Sequence, residues 1–400
     1  MRIPYGRQST SRGQALRADP PPAADLPALT SLRFFAAGMI FVFHLREYSP
    51  SDWAVAIGPA MYHGVSFFFV LSGFVLTHVY AGRDFSWRRF YLARVARIAP
   101  LHLATLALLL AAIPMPYAVG QKLGFADAAL AFALKAAMLD AWVPTRAVLQ
   151  SWNNVSWSIS AEMAFYAAFP LLLAAMTRRP AATLAAVAAL TFAVFAAGAA
   201  MLPVTDPGRD VPSLFHLGSC FPLARGFEFA LGMATSLAWR RWIQPAQLPF
   251  ALWTAIEAAA LTSAALWLFL CVPPLVTGAS GALFVWLRAC GSCFVFAALL
   301  LALAAGRGGL GRALSLRPLV ALGEASFAFY MVHMIVMRAL RFHFGSGPGI
   351  LAALSLSLAG AFLLHYAVEI PMRRRILAWN GGWRRPARLD DPQSRGLPAR

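Results

Sequence analysis

The apolar residues of this chain fall in long uninterrupted blocks, and this pattern limits the fold more than any other feature. The blocks are about 17 to 25 residues long, the length at which a helix crosses the hydrocarbon core of a bilayer. The alternation with a period of two that is typical of a membrane β-barrel is absent. Only 12% of the 400 residues are charged, about half the fraction of a soluble domain. We therefore predict an all-α fold, a polytopic transmembrane helical bundle.

Basic residues predict how these helices are oriented. The chain has a net charge of +18, and its arginines cluster at the ends of the apolar blocks. This placement is a topology signal, so we predict no nucleic-acid partner. The later arginine clusters all fall on the side of the N-terminus only if the segment 126–142 does not cross. That segment carries three charges, which supports a re-entrant or interfacial helix there.

The predicted architecture has about ten spans and lies in the inner (plasma) membrane with both termini in the cytoplasm. A disordered tail at 1–28 and a basic tail at 373–400 flank a transmembrane domain at 29–372. The predicted spans are 29–45, 61–81, 98–114, 156–176, 181–201, 222–239, 250–271, 280–305, 319–342 and 348–370.

Arg33 and His44 carry the ionisable groups of the first span. They are eleven residues apart, which points both side chains to one helix face about 16 Å apart along the axis. Such groups are costly in a membrane unless they face a bundle interior or a wet cavity. An imidazole can take a proton from a hydroxyl near neutral pH, and a guanidinium suits a fixed anion. We predict a polar path here, while a packing histidine and a positive-inside anchor remain alternatives.

Ser158 and Glu162 share a helix face because they are four residues apart. Glu162 lies about one turn inside the predicted outer interface, where a carboxylate needs a partner. Hydrogen-bonded to His44, it would fix the imidazole tautomer and stabilise the imidazolium, as the acid of a catalytic triad does. Arg33 and Arg225 are other candidate partners, and a structural ion pair is the alternative.

Arg94 and Arg97 lie in a basic stretch that we predict to be a cytoplasmic loop. Three residues apart, they present one cationic face that suits phosphate groups. A positive-inside signal or contact with anionic lipid would account for them equally well.

Arg225 opens a predicted span from the outer side and shares a helix face with Gly232, which permits a close helix approach. A site role and an ion pair with Glu228 both remain open for Arg225.

Ser326, Tyr330 and His333 form one polar stripe on an otherwise apolar helix. Three hydrogen-bonding groups on one face indicate either a substrate cavity or a structural network between helices.

Seven short motifs in this order resemble those of the acyltransferase-3 family of integral-membrane acyltransferases, over about 30–372. They are Arg33 to His44 (Arg-x10-His), Phe68 to Phe74 (Phe-Phe-x-Leu-Ser-Gly-Phe), Arg94 to Pro100, Trp157 to Tyr166, Arg225 to Gly232, Ser326 to His333 and Glu369 to Pro371. Each motif is weak alone, and their common order and spacing make the resemblance specific. Phe327 and Phe329 depart from the family pattern but lie outside the charged set.

The resemblance implies an enzyme that moves an acyl group, most often acetyl, from cytoplasmic acyl-CoA to a hydroxyl of a carbohydrate acceptor, such as a surface polysaccharide or a lipid-linked sugar. The implied residues are His44 and Glu162 for catalysis, Arg33, Arg94 and Arg97 for the donor, and Arg225, Ser326, Tyr330 and His333 for the acceptor or an oxyanion. Direct transfer with His44 as general base and a covalent acyl-histidine both remain open.

Two other functions stay open. A transporter or flippase of a glycan or lipid-linked sugar would use the same intramembrane charges as a relay, without needing a donor-binding arginine pair. A membrane sensor would keep the fold without the chemistry, and would then have no need of His44 and Glu162. No metal and no permanently bound cofactor are expected, since Cys290 and Cys293 lack the further ligands of a zinc site.

Overall fold

The chain is mostly helical in the part that a computed structural model describes, residues 26–48, 52–119, 123–204, 211–271, 282–345 and 349–379. No strand occurs in these ranges. The α-helices are α1 (Pro27–Tyr48), α2 (Asp52–Met61), α3 (Gly64–Tyr80), α4 (Trp87–Ala112), α5 (Met115–Val119), α6 (Phe125–Ala136), α7 (Arg146–Gln150), α8 (Trp157–Arg178), α9 (Pro180–Met201), α10 (Leu214–Cys220), α11 (Pro222–Ala238), α12 (Phe250–Leu266), α13 (Ala282–Cys290), α14 (Cys293–Leu303), α15 (Gly309–Leu314), α16 (Arg317–Glu324), α17 (Ser326–Phe344), α18 (Ile350–Leu364) and α19 (Ile370–Trp379).

Eight helical stretches in the described ranges are long and apolar enough to cross a membrane. They are Pro27–Arg46, Asp52–Tyr80, Trp87–Ala112, Asn154–Arg178, Pro180–Met201, Phe250–Leu270, Ala282–Leu303 and Ile350–Trp379. The pair α16 and α17, bent by 60°, makes a ninth if it counts as one span. The predicted polytopic helical bundle is confirmed. The predicted span at 222–239 is helical as α11, which has 17 residues and contains Arg225 and Glu228, and it is not among these stretches.

The segment 126–142 does not form a full span. Its helix, α6, is 12 residues long, well short of the roughly 20 that cross a bilayer. Lys135 and Asp140, two of its three charges, form a fully buried ion pair of 2.7 Å. A short helix with an internally neutralised pair agrees with the predicted re-entrant or interfacial element. The predicted tails lie outside the described residues except for 26–28 and 373–379, which are the ends of the helical region.

The basic stretch that we predicted to be a loop is helical instead. α4 runs from Trp87 to Ala112 without a break and contains Pro100. Arg94 and Arg97 are therefore one turn apart on a helix, where their side chains point into the bundle. Arginine is a good helix former, and its long stem lets the charge reach water while the helix continues. A run of arginines consequently marks a membrane boundary without marking a loop.

Two glycines allow the central helices α3 and α11 to touch. A Cβ at Gly73 would collide with the carbonyl oxygen of Phe229, and a Cβ at Gly232 would collide with that of Val70. Each glycine faces the backbone of the opposite helix, as close helix pairs in membranes require. The prediction that Gly232 serves a close approach is confirmed. This contact sets the position of α3, which carries part of the site described next.

Candidate active site

A cavity of about 270 Å³ lies between α1, α3, α4, α8 and α17. Its walls are mostly apolar, with polar side chains at successive heights. The polar residues of the lining are Thr30, Arg33, Ser72, His78, Arg94, Arg97, Ser158, Glu162, Tyr166 and Tyr330. The cavity thus unites the three arginines predicted to bind the donor with Glu162 and Tyr330. We refer to it as the first cavity.

Arg33, Arg94 and Arg97, the arginine cluster, lie at the end of the first cavity where α1 begins. None of the three donates a hydrogen bond or forms an ion pair to a described residue. Arg94 Nε is buried without an acceptor, and its guanidinium carbon lies 5.7 Å from the centre of the Tyr166 ring. Charges removed from water are costly unless they are paired. Three guanidinium groups without acceptors in the described chain are therefore chemically suited to bind an anion.

Glu162 lies on the wall of the first cavity and not beside His44. Its Oε1 accepts hydrogen bonds from Ser72 Oγ at 3.0 Å and from the hydroxyl of Tyr166, and its charge acts on Arg33. The described structure contains no hydrogen bond between Glu162 and His44, so the predicted pairing of these two residues is wrong. Spacing along α8 gives the face of a side chain but not its height against α1, and Glu162 is level with the arginines.

His44 is paired with His333 instead. His44 Nδ1 and His333 Nε2 are 3.1 Å apart, and both side chains are buried. His333 Nδ1 lies 2.7 Å from the carbonyl oxygen of Tyr330, which can only accept, so this nitrogen carries the proton. In a neutral His333, Nε2 is then an acceptor, and His44 donates to it from Nδ1. The Nε2 atom of His44 is left unprotonated and able to take a proton.

Tyr330 connects the first cavity to this histidine pair. Its hydroxyl donates to the carbonyl oxygen of Val155 at 3.0 Å and is 2.8 Å from Ser158 Oγ. Its ring packs 6.0 Å from that of His333 between centroids. The polar groups thus continue from the arginine cluster through Glu162 and Tyr330 to the histidines.

Ser326 does not belong to this path. It is fully buried, and its Oγ donates to the carbonyl oxygen of Gly323 at 2.7 Å. This bond closes the bend between α16 and α17, so the three positions of the predicted stripe have three different environments. The same helix face passes from a bend to a cavity wall and then to the histidine pair.

The chain is similar to known proteins along most of its length. The Acyl_transf_3 family model, described as an acyltransferase domain, matches residues 26–366. The chain belongs to the acyltransferase-3 family. Acyltransferase MdmB of Streptomyces mycarofaciens is 32% identical to this acyltransferase over 95% of the chain and 98% of the relative. No solved structure matches this chain.

A second relative is a candidate peptidoglycan O-acetyltransferase, YrhL of Bacillus subtilis. It is 28% identical over 78% of this chain, which covers 48% of the length of YrhL. Both relatives are acyltransferases by name, and the family match agrees, so the chain is an enzyme of the acyltransferase class. Its long apolar helices make it a multi-pass membrane protein.

In this acyltransferase, Arg225 lies outside the first cavity and is fully buried. It forms a bidentate ion pair with Glu228, with Nε–Oε2 at 2.6 Å and Nη2–Oε1 at 3.1 Å. It also donates to Ser66 Oγ at 3.0 Å and to the carbonyl oxygen of Ser219, and lies 3.4 Å from the Tyr62 hydroxyl. With its donors used within the chain, Arg225 stabilises the helices around it. The structure favours the ion-pair alternative over the predicted contact with acceptor or oxyanion.

A second cavity of about 110 Å³ was not predicted from the sequence; its polar lining residues are Arg46, Tyr62, His63, Ser219 and Arg288. One signal was available, because an arginine such as Arg288 within an apolar span is a functional candidate by default. Ser72 and His78 of the first cavity were missed as well. Ser72 lies within the motif Phe68 to Phe74, but spacing along α3 cannot predict its contact with Glu162 on another helix.

Proposed function

We propose that this enzyme transfers an acyl group, most often acetyl, from acyl-CoA to a hydroxyl of a carbohydrate acceptor. The observation that carries the proposal is the arginine cluster without acceptors at one end of a cavity that leads to a histidine able to act as a base. Acyl-CoA has phosphates at one end and a thioester at the other end of a long, narrow arm. The arginine cluster lines the first cavity, and Tyr330 of the same lining packs against His333, so phosphate-binding and base groups follow one another in that order.

The donor arm would run along α1. Arg33 and His44 are eleven residues apart, about 16 Å along the helix axis. The first cavity, at about 270 Å³, exceeds the roughly 150 Å³ that hold a benzene molecule. This volume suits the arm of the donor, whose nucleotide would remain at the mouth beside the arginine cluster. We place this mouth on the cytoplasmic side, where both chain termini would lie and where acyl-CoA is made.

The proposed reaction uses the free Nε2 of His44. This atom takes the proton of the acceptor hydroxyl while the oxygen attacks the thioester carbonyl. The C–O bond forms, the C–S bond breaks, and the CoA thiolate leaves and receives the proton from the His44 imidazolium. His333 accepts the hydrogen bond of His44 Nδ1 and holds the required tautomer, the role that we had predicted for Glu162. Glu162 would instead fix the positions of Ser72 and Tyr166, which line the first cavity with it.

The carbohydrate acceptor is supported by the relative YrhL, whose name refers to peptidoglycan. A hydroxyl of a surface polysaccharide or of a lipid-linked sugar is the acceptor class that we propose. It would approach the histidine pair from the side opposite the donor.

The test uses the full chain purified into liposomes with radiolabelled acetyl-CoA, and measures CoA release and labelled product with a crude glycan extract. We expect His44→Ala to lower kcat by about 10²- to 10⁴-fold, the usual contribution of a general base. His333→Asn should lower kcat and change its pH profile, because the tautomer of His44 is no longer held. The matched control is His343→Gln, since His343 is exposed on α17.

The proposal fails if the wild type neither binds nor consumes any acyl-CoA while His44→Ala keeps full biological activity. Movement of a glycan across the liposome membrane under those conditions would favour the transporter instead.

A further inference from the structure

The second cavity borders the histidine pair through a different residue from the first. Phe43 lines it, and the Phe43 ring packs 5.0 Å from the His44 ring between centroids. Tyr330 lines the first cavity and packs against His333. The two linings have no residue in common. Each histidine therefore borders the wall of a different cavity, which is the arrangement that a two-substrate transfer requires.

Two arginines dominate the second cavity. The guanidinium carbon of Arg46 lies 4.2 Å from the centre of the Phe43 ring, and that of Arg288 lies 4.6 Å from the centre of the Phe215 ring. Stacking on an aromatic face holds a guanidinium plane without using its N–H donors. Neither arginine donates a hydrogen bond or forms an ion pair to a described residue, and no residue of this lining is acidic.

The neighbouring helix α2 leaves room for Arg46. A Cβ at Gly58 would lie 2.8 Å from Arg46 Cδ, so only glycine lets the side chain pass here without a shift. Arg46 is thus held between Gly58 and Phe43. A side chain that is already ordered loses less conformational entropy when it binds a ligand, so the cavity is built to present this charge.

We propose that the second cavity binds the acceptor and selects one that carries a carboxylate or a phosphate near the hydroxyl to be acylated. Two stacked guanidinium groups recognise such an oxyanion by charge-assisted hydrogen bonds. The volume of about 110 Å³ holds one such substituent and the adjoining edge of a ring, with the aromatic walls against the ring. The inference rests on the proposed acyl transfer and names its acceptor class, an acidic carbohydrate.

The experiment compares three probes built on one sugar ring: methyl β-glucoside, its 6-carboxylate (methyl β-glucuronide) and its 6-phosphate. Binding of each probe to the full chain in nanodiscs is measured by saturation-transfer NMR with titration, and transfer from radiolabelled acetyl-CoA is measured in parallel. We expect at least one anionic probe to bind about tenfold or more tightly than the glucoside, as expected for added charge-assisted hydrogen bonds. The stronger of the two anionic probes separates a uronic acid from a sugar phosphate.

Three variants test which residues make this preference. Arg46→Gln and Arg288→Gln should each reduce it to less than about threefold, because each removes one guanidinium from the oxyanion site. Gly58→Val keeps both charges but displaces Arg46, and should reduce it as well. The control is Arg146→Gln, since Arg146 is exposed on α7 and bonded to Gln150. Acetyl-CoA binding should be unchanged in all four variants.

Equal or tighter binding of the glucoside by the wild type would overturn the inference. So would an anion preference that survives both arginine substitutions, or a loss of acetyl-CoA binding in Arg46→Gln and Arg288→Gln, which would assign the cavity to the donor. Failure of acyl transfer itself is read separately, from CoA release by the wild type.

Discussion

The protein holds arginines inside its helical bundle in two contrasting ways. Arg225 is fully buried, and Glu228, Ser66 and the carbonyl of Ser219 accept from its guanidinium. The arginine cluster of the first cavity has no such acceptors among the described residues. In a membrane both arrangements are costly unless the charge is compensated. Acceptors supplied by the chain itself indicate a structural role, and guanidinium groups left without such acceptors indicate a partner that comes and goes.

The largest effect on stability is expected from breaking the Arg225–Glu228 ion pair. Arg225→Gln leaves the fully buried Glu228 carboxylate uncompensated, which typically costs about 3–5 kcal/mol of unfolding free energy. We expect poor expression and a sharply lowered Tm in detergent, measured by fluorescence-detected size-exclusion chromatography after heating.

The matched control removes both charges. The double variant Arg225→Met, Glu228→Met has no unpaired charge and should recover much of the lost stability, as replacements of buried ion pairs by apolar residues often do. If Arg225→Gln alone keeps the wild-type Tm but loses transfer, Arg225 contacts substrate and its role is not structural.

The arginine cluster should respond in the opposite way. Arg94→Gln with Arg97→Gln removes no hydrogen bond within the described chain, so the Tm should stay within the small range of surface substitutions. The KM for acetyl-CoA should rise by about 10- to 100-fold, because charge-assisted hydrogen bonds to phosphate are lost. Arg88→Gln is the control, an exposed arginine near the start of the same helix. An unchanged KM would mean that the arginines bind lipid instead of the donor.

The fold was predictable because membrane spans leave a strong one-dimensional signal. Block length and arginine placement were enough to anticipate the bundle and the short helix at 126–142. The same arginines misled the assignment of Arg94 and Arg97 to a loop, since the positive-inside rule locates a boundary and contains no information on backbone conformation. Because Arg94 and Arg97 lie on α4, their side chains form part of the wall of the first cavity.

The site was predictable in its membership and less so in its pairings. Spacing correctly indicated that Arg33 and the polar residues of α8 face the interior, because helical periodicity is local. Which residue meets His44 depends on the relative height and rotation of α1, α8 and α17. Those quantities are set by packing between distant segments, such as the glycine contacts of Gly73 and Gly232. His333, 289 residues from His44 in the chain, was assigned to the acceptor for that reason.

Glu162 provides the smallest and most discriminating test, because it lies in the first cavity while the sequence had predicted it beside His44. Glu162→Gln keeps a side chain that can accept from Ser72 and Tyr166, so the fold should be unaffected. If Glu162 only shapes the wall near Arg33, the KM for acetyl-CoA should change by less than about tenfold, the scale of one hydrogen bond. The pH profile of kcat should then keep its shape, since the His44–His333 pair is unchanged. A collapse of kcat with an altered pH profile would instead mean that Glu162 reaches the histidines during turnover. The distance between Glu162 in the first cavity and the His44–His333 pair would then change during turnover through a helix movement.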